Sequence, residues 1–361
     1  MQRHWQKKPL LVRAAVADPR PLLERAQLFE LAAREEVESR LIVREGKRWK
    51  MRRGPLPRRA LPPVSQREWT LLVQGVDLHH EPARQLLDQF RFVPDARLDD
   101  LMISWASDGG GVGPHFDSYD VFLLQLQGRR RWRIGRQSDL SLQEGVPLKI
   151  LANFVPQQDY VLEPGDMLYL PPGYAHDGTA QGECQTCSIG FRAPGQSELA
   201  RELLQRLAEQ AEETAGAVLY RDAGAPAADS PGAVPAGLQQ FAAQSLQAAL
   251  KDPQALNRVL GEYLSEPKAN VWFEPGPSPA AMGAVVLDRR SRMLHDERHV
   301  FLNGDSWRAS GRDATLMRAL ADQRELSQAQ VGRASARALE LLRDWCEAGW
   351  LHPQQEEDRD D

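Results

Sequence analysis

Cysteine is scarce in this chain: Cys184, Cys187 and Cys346 are the only three among 361 residues. An odd, sparse count excludes a disulfide framework and suits a reducing compartment. Cys184 and Cys187 have the spacing of half a zinc or redox motif, but no second pair completes it. They read as ordinary thiols of a strand or loop. Long hydrophobic runs are missing too. None approaches the roughly 20 residues of a membrane helix, and the start, Met1-Gln-Arg-His-Trp-Gln-Lys-Lys, lacks the apolar centre of a signal peptide. Nor is there an excess of positive charge. The 45 Lys and Arg stand against 50 Asp and Glu, a formal net charge of −5, so no global basic field argues for nucleic acid. Together these absences predict a cytoplasmic protein without membrane or direct nucleic-acid contact.

What is present is an ordinary globular composition, 42% hydrophobic and 26% charged, long enough for two or three domains. Up to about residue 67, short apolar runs mix with helical patches. Leu22, Leu23, Ala26, Leu28 and Leu31 fall at near-helical spacing and predict an amphipathic helix over 21–33. The basic, proline-bearing stretch 52–59 reads as a solvated connection, with an RNA or acidic-partner contact as the sharper alternative. A strand over 69–75 ends at Gly75, and a helix follows over 82–90.

From 101 to 191 the pattern changes to short strands, over 101–105, 121–126, 130–134, 159–162, 167–170 and 187–191. Gly, Pro and Asp clusters separate them, which suggests an antiparallel sandwich or barrel. The period turns helical over 196–216, and helices over 238–250 and 253–264 follow an Ala/Gly/Pro-rich connection at 222–235. These helices resemble a bundle or oligomerisation module. Near the C-terminus, Asn303-Gly304 marks a hairpin within 300–308. Helices over 313–321 and 334–348, the second stopped by Gly349, complete a winged-helix shape. The acidic tail 356–361 opposes a phosphate backbone, which favours a protein-contact or structural role over DNA binding.

The chemistry concentrates in Gly109-Gly-Gly-Val-Gly-Pro-His115-Phe-Asp117 and in Pro164-Gly-Asp-Met-Leu-Tyr-Leu-Pro-Pro-Gly173, which leads to His176. On a strand, residues i and i+2 share a face, so His115 and Asp117 project together. His176, behind two strongly punctuated turns, is the candidate third ligand. Two histidines and one carboxylate on one face leave coordination positions open, as in non-heme Fe(II) oxygenases. A salt-bridged His/Asp pair on a binding module is the bland alternative. In Arg129-Arg-Arg-Trp-Arg-Ile134, Arg130, Trp132 and Ile134 share one side of a strand, and Arg129, Arg131 and Arg133 the other. A buried Arg130 needs a carboxylate, from an internal Asp or Glu or from a dicarboxylate co-substrate.

At these residues the chain resembles the bacterial JmjC-type ribosomal oxygenases. The resemblance is carried by Asp100-Leu-Met-Ile-Ser104, by the His115-x-Asp117 run continuing to Tyr119-Asp120-Val-Phe, by Gly128 to Trp132, and by Leu162 to His176 with Ser188-x-Gly-Phe-Arg-Ala-Pro194. It implies an α+β protein with three parts. These are a double-stranded β-helix (cupin, jelly-roll) JmjC domain over 1–195, a helical dimerisation region over 196–266 and a winged-helix-like domain over 267–361. It further implies an Fe(II)- and 2-oxoglutarate-dependent protein hydroxylase, a homodimer, acting on C3 of an arginine in the sixteenth protein of the large ribosomal subunit. His115, Asp117 and His176 match the iron ligands, Arg130 the partner of the distal carboxylate of 2-oxoglutarate, and Ser104 a polar position that assists it. Asp120 and Tyr119 are candidates to receive the target side chain. A histidine target on another ribosomal protein, a metal cupin of another class and a DNA-binding regulator are the competing readings.

Overall fold

The computed structural model describes residues 1–209, 218–227, 229–250 and 253–354. The acidic tail and the ends of some predicted helical segments, 210–216 among them, lie outside the described residues. The chain divides into two compact units, Met1–Ala193 with Ala269–Trp272, and Pro194–Lys268 with Phe273–Asp361.

The first unit is built on nine strands: β1 (Leu10–Val12), β2 (Ser39–Glu45), β3 (Arg48–Arg53), β4 (Trp69–Val73), β5 (Leu98–Ala106), β6 (Asp120–Gly135), β7 (Gln158–Leu162), β8 (Met167–Leu170) and β9 (Ala175–Phe191). They pair antiparallel in the order β1-β8-β6-β9-β5-β4-β2-β3, with β7 also on β6. The two long strands β6 and β9 run against each other from Asp120↔Phe191 to Gly135↔Ala175. The first half of β6 also pairs β8, and the second half pairs β7. This sharing of two long strands between both halves is the double-stranded β-helix.

Four expectations change here. The segments 121–126 and 130–134 are one strand, because the ladder to β9 continues through Gly128 with register shifts at Gln125–Arg129 instead of breaking there. The segment 187–191 is the end of a 17-residue strand for the same reason. The helix over 21–33 shrinks to Arg25–Leu31. Glu24 and Gln27 form a capping box that starts it late. The N-terminal region supplies β1, β2 and β3 as well as β4. The many charges of β2 and β3 hide their alternation, since these strands close one edge of the sheet with half their residues in solvent.

The main core gathers Trp69, Trp105, Leu71, Ile103, Leu28 and Phe191, all fully buried. Trp69 and Trp105 lie 4.5 Å apart by ring centroid. Each such side chain contributes about 2–3 kcal/mol through burial. A second cluster includes Val121, Leu123, Trp132 and Leu168.

In the second unit, helices Gln196–Glu209 and Pro253–Ser265 share a small core of Leu203, Leu207, Ala255 and Val259, and a further helix spans Ala236–Ala249. The hairpin His299–Leu302 and Asp305–Arg308 turns through Asn303 (φ 53°) and Gly304 (φ 97°), as the Asn-Gly pair predicts. With helices Gly311–Gln323 and Ala336–Glu347 and a buried core around Trp345 and Leu342, this hairpin makes a winged helix.

Candidate active site

His115 is positioned by a chain that barely pairs. It forms one isolated bridge with His176, in which each backbone N–H donates to the other residue's carbonyl. His115 to Asp117 are thus not a strand, a further correction to the sequence reading. Pro114 has no N–H to give, and Gly113 takes a positive φ of 79°, so the ladder cannot extend backwards. The i, i+2 consequence survives, and His115 and Asp117 still converge. Gly111 lets this segment lie against β9; a Cβ there would come within 2.5 Å of the Gly178 carbonyl.

The ligand atoms of His115, Asp117 and His176 all lie within 4.8 Å of one another. His176 Nε2 is 3.6 Å from Asp117 Oδ2. Each imidazole is oriented by a carbonyl that accepts from Nδ1: Gly113 O at 2.9 Å for His115, and Tyr174 O at 3.0 Å for His176. That tautomer leaves both Nε2 lone pairs for a metal. Burial, with the neighbouring His115, pushes the His176 pKa down to about 4, so its imidazole is neutral at pH 7. Two imidazole nitrogens and a carboxylate form a donor set that fits a divalent cation.

Arg130 lies on the floor of the same cavity and is only 4% exposed. Its Nη1 donates to Ser104 Oγ at 2.6 Å and to Thr186 Oγ1 at 3.2 Å. Thr186 in turn donates to Gln125 Oε1 at 2.9 Å. No carboxylate pairs with Arg130 among the described residues, and its Nε is buried without a partner. The internal salt bridge is therefore ruled out as its explanation. The Trp132 ring sits 5.4 Å from the guanidinium and 5.8 Å from the His176 ring. Arg131 pairs outward with Asp159, and Arg133 with Asp177.

The cavity has a volume of about 490 Å³ and brings together His115, Asp117, His176, Arg130 and Ser104. Tyr119 lines it as well, and burial beside Asp117 pushes its hydroxyl pKa up. Asp120 does not. It is fully buried behind the cavity and accepts hydrogen bonds from Tyr169 Oη (2.6 Å), Gln6 Nε2 (3.0 Å) and Arg97 Nη2 (3.1 Å). Asp120 opens β6, whereas Tyr119 lies in the bend before it. The sequence reading missed Asp99, Asp100, Met102 and Thr186. Asp100, Met102 and Ser104 alternate along β5 and all line the cavity, so alternation counted outward from Ser104 would have found the first two.

Comparison with known proteins agrees with this geometry. Residues 85–199 match the JmjC domain model, and residues 248–352 match the ROXA-like winged helix model. The chain is 35% identical to the ribosomal protein uL16 3-hydroxylase of Escherichia coli over 293 residues, 80% of this chain and 76% of that one. The X-ray structure of E. coli YcfD superposes with a TM-score of 0.86 at 31% identity, covering 98% of this chain and 96% of that one. YcfD in complex with cobalt and 2-oxoglutarate gives 0.83 at 30% identity, covering 98% and 97%. By this extent of identity, and with a cupin barrel followed by a winged helix, the chain belongs to the JmjC-domain ribosomal oxygenases.

Proposed function

We propose that the chain is an Fe(II)- and 2-oxoglutarate-dependent hydroxylase that adds one oxygen to C3 of an arginine in ribosomal protein uL16. Arg130 carries the reading. A buried guanidinium held only by two hydroxyls, opening on the same cavity as three metal donors, is costly without an anion. The distal carboxylate of 2-oxoglutarate offsets that cost with charge-assisted hydrogen bonds. The E. coli relative in complex with cobalt and 2-oxoglutarate supports the same ligand pair.

In this reading His115, Asp117 and His176 hold the metal, and the Gly113 and Tyr174 carbonyls fix the imidazole tautomers. When bound, iron with 2-oxoglutarate and dioxygen supplies the power to oxidise an unactivated C–H bond, with release of succinate and carbon dioxide. Arg130, steadied by Ser104 and Thr186, orients the co-substrate so that its keto-acid end faces the donors. Val121, Leu123 and Trp132 form an apolar wall that limits water. Asp99, Asp100 and Tyr119 give the acidic and aromatic surroundings that suit a guanidinium substrate.

We also propose that the region 196–266 mediates a homodimer, with the JmjC part taken as 1–195 and the winged-helix part as 267–361. The exposed Leu204, Leu238, Leu246 and Leu256 on its helices support that role. The cytoplasm, where uL16 is made and thiols stay reduced, is the proposed site of action. No helix among the described residues is long and apolar enough to cross a membrane. The reading is tested by uL16-dependent succinate release together with the mass of the product. Turnover without 2-oxoglutarate would favour a metal cupin of another class.

A further inference from the structure

Residues 40–59 contain nine Arg or Lys and a single Glu, in a chain whose net charge is −5. The average over the whole chain, from which no nucleic-acid contact was expected, conceals this segment. Most of it is the hairpin of β2 and β3. The register Arg40↔Arg53, Ile42↔Met51 and Arg44↔Trp49 places these six residues on one face. Like charges directly opposite each other, as Arg40 and Arg53 are, oppose pairing unless an anion lies between them. Arg40 reaches only the neutral Gln74 Oε1, at 2.7 Å, and its Nε is buried without a partner. Of the nine cations, only Lys50 forms an ion pair among the described residues, with Glu45.

This face runs between two cavities. Arg40, Ile42, Met51 and Arg53 line the rim of the active-site cavity. Arg44, Lys47 and Trp49 line a second cavity of about 340 Å³, walled by the Gly109–Gly113 loop and by Arg133. The Arg44 guanidinium lies 5.5 Å from the Trp49 ring. Asp177, the carboxylate in that cavity, is already neutralised by Arg133. A row of unpaired cations along a groove, with an aromatic ring beside it, is what tracks a single-stranded phosphate backbone and stacks a base.

We propose that the Arg40/Arg44/Arg53 face of the hairpin, with Lys47 and Trp49, is a docking strip for single-stranded RNA leading to the mouth of the active site. RNA fits better than an acidic peptide. Trp49 offers a stacking surface that a carboxylate does not use. The strip extends the ribosomal-substrate reading but is tested without it, because binding needs neither iron nor turnover.

The experiment is fluorescence anisotropy of a labelled single-stranded RNA of about 16 nucleotides with the full-length chain, without iron or 2-oxoglutarate. Salt is varied from about 50 to 200 mM. Four phosphate contacts predict a log–log salt slope of about −3. Arg44→Glu with Lys47→Glu, both exposed at the hairpin tip, is expected to weaken binding at least about tenfold and to cut the slope by about 1.4. Trp49→Ala is expected to weaken binding with little change in slope. The proposal is overturned if the wild type binds no RNA, or if the tip variant binds as well as wild type. It is also overturned if Arg312→Glu with Arg337→Glu, the same charge change on the winged helix, costs as much. Displacement of the RNA by polyglutamate at equal charge would overturn the choice of RNA over an acidic peptide.

Discussion

His115 and His176 exchange both backbone hydrogen bonds, His115 N–H to His176 O at 3.0 Å and His176 N–H to His115 O at 2.8 Å. Residues directly opposite in an antiparallel bridge present their side chains on one face, which sets the two imidazole centroids 4.2 Å apart. The placement of the two candidate ligands is thus fixed by a two-bond backbone clamp, although His115 belongs to no strand. Asp117 follows two residues on.

The clamp is made of backbone atoms, so removing the Asp117 side chain leaves it in place. Asp117→Ala is expected to remove Co(II) binding, read by titration calorimetry, while changing the urea midpoint little. Its side chain is 21% exposed and carries no core packing. A large loss of stability in this variant would show that the carboxylate is structural.

Arg130→Lys keeps the charge but loses the planar fork. Its KM for 2-oxoglutarate is expected to rise about 10- to 100-fold, equivalent to one or two charge-assisted hydrogen bonds, with a smaller change in kcat. Succinate release measured against 2-oxoglutarate concentration decides it. An unchanged KM would mean that the guanidinium does not meet the co-substrate.

Burial holds the His176 pKa near 4 in the folded chain, against about 6.5 unfolded. Between those values the unfolded chain binds more protons, so stability falls as pH drops through this window and is unaffected by this group above it. The loss is about 3 kcal/mol by pH 4. Metal-free protein is expected to melt progressively lower from pH 6.5 downward, and His176→Gln to flatten that slope. Parallel slopes for both would assign the effect to other groups.

Gly178 lies under the Trp132 ring, and a Cβ there would come within 2.6 Å of it. Gly178→Ala must displace the ring that packs beside both Arg130 and His176. A loss of about 1–3 kcal/mol is expected in urea unfolding, with a raised KM for 2-oxoglutarate. A variant of wild-type stability and KM would show that Trp132 has room to move.

Asp120 sits beside Tyr119 in sequence but serves the core. Asp120→Ala leaves the Tyr169 hydroxyl without its acceptor and Arg97 without its carboxylate, and about 3 kcal/mol of stability is expected to go, since Arg97 stays partly solvated and keeps the Arg192 carbonyl. The kcat of the folded fraction should be unchanged. A fall in kcat at full stability would return Asp120 to the substrate site.

The contrast between Tyr119 and Asp120 shows where the sequence is readable. The candidate ligands His115 and Asp117 and the Arg130 face follow from fixed spacings, and the strand at Met167–Leu170 and the Asn303-Gly304 hairpin follow from turn residues. What does not follow is set by long-range pairing. Whether β6 continues past Gly128 depends on β9, some fifty residues away in sequence. β2 and β3 carry an alternation diluted by charges that have their own use. Thr186 reaches Arg130 only because the β6–β9 ladder sets it opposite Gln125, and no local motif marks it.

The central claim is that these residues together oxidise an arginine of uL16. The most direct measurement is intact and peptide mass spectrometry of uL16 incubated with the chain, Fe(II) and 2-oxoglutarate. The account predicts one added oxygen, located on an arginine, dependent on 2-oxoglutarate and absent with His115→Ala. Unchanged uL16 mass under demonstrated 2-oxoglutarate binding, or the same oxygen added by His115→Ala, would contradict it.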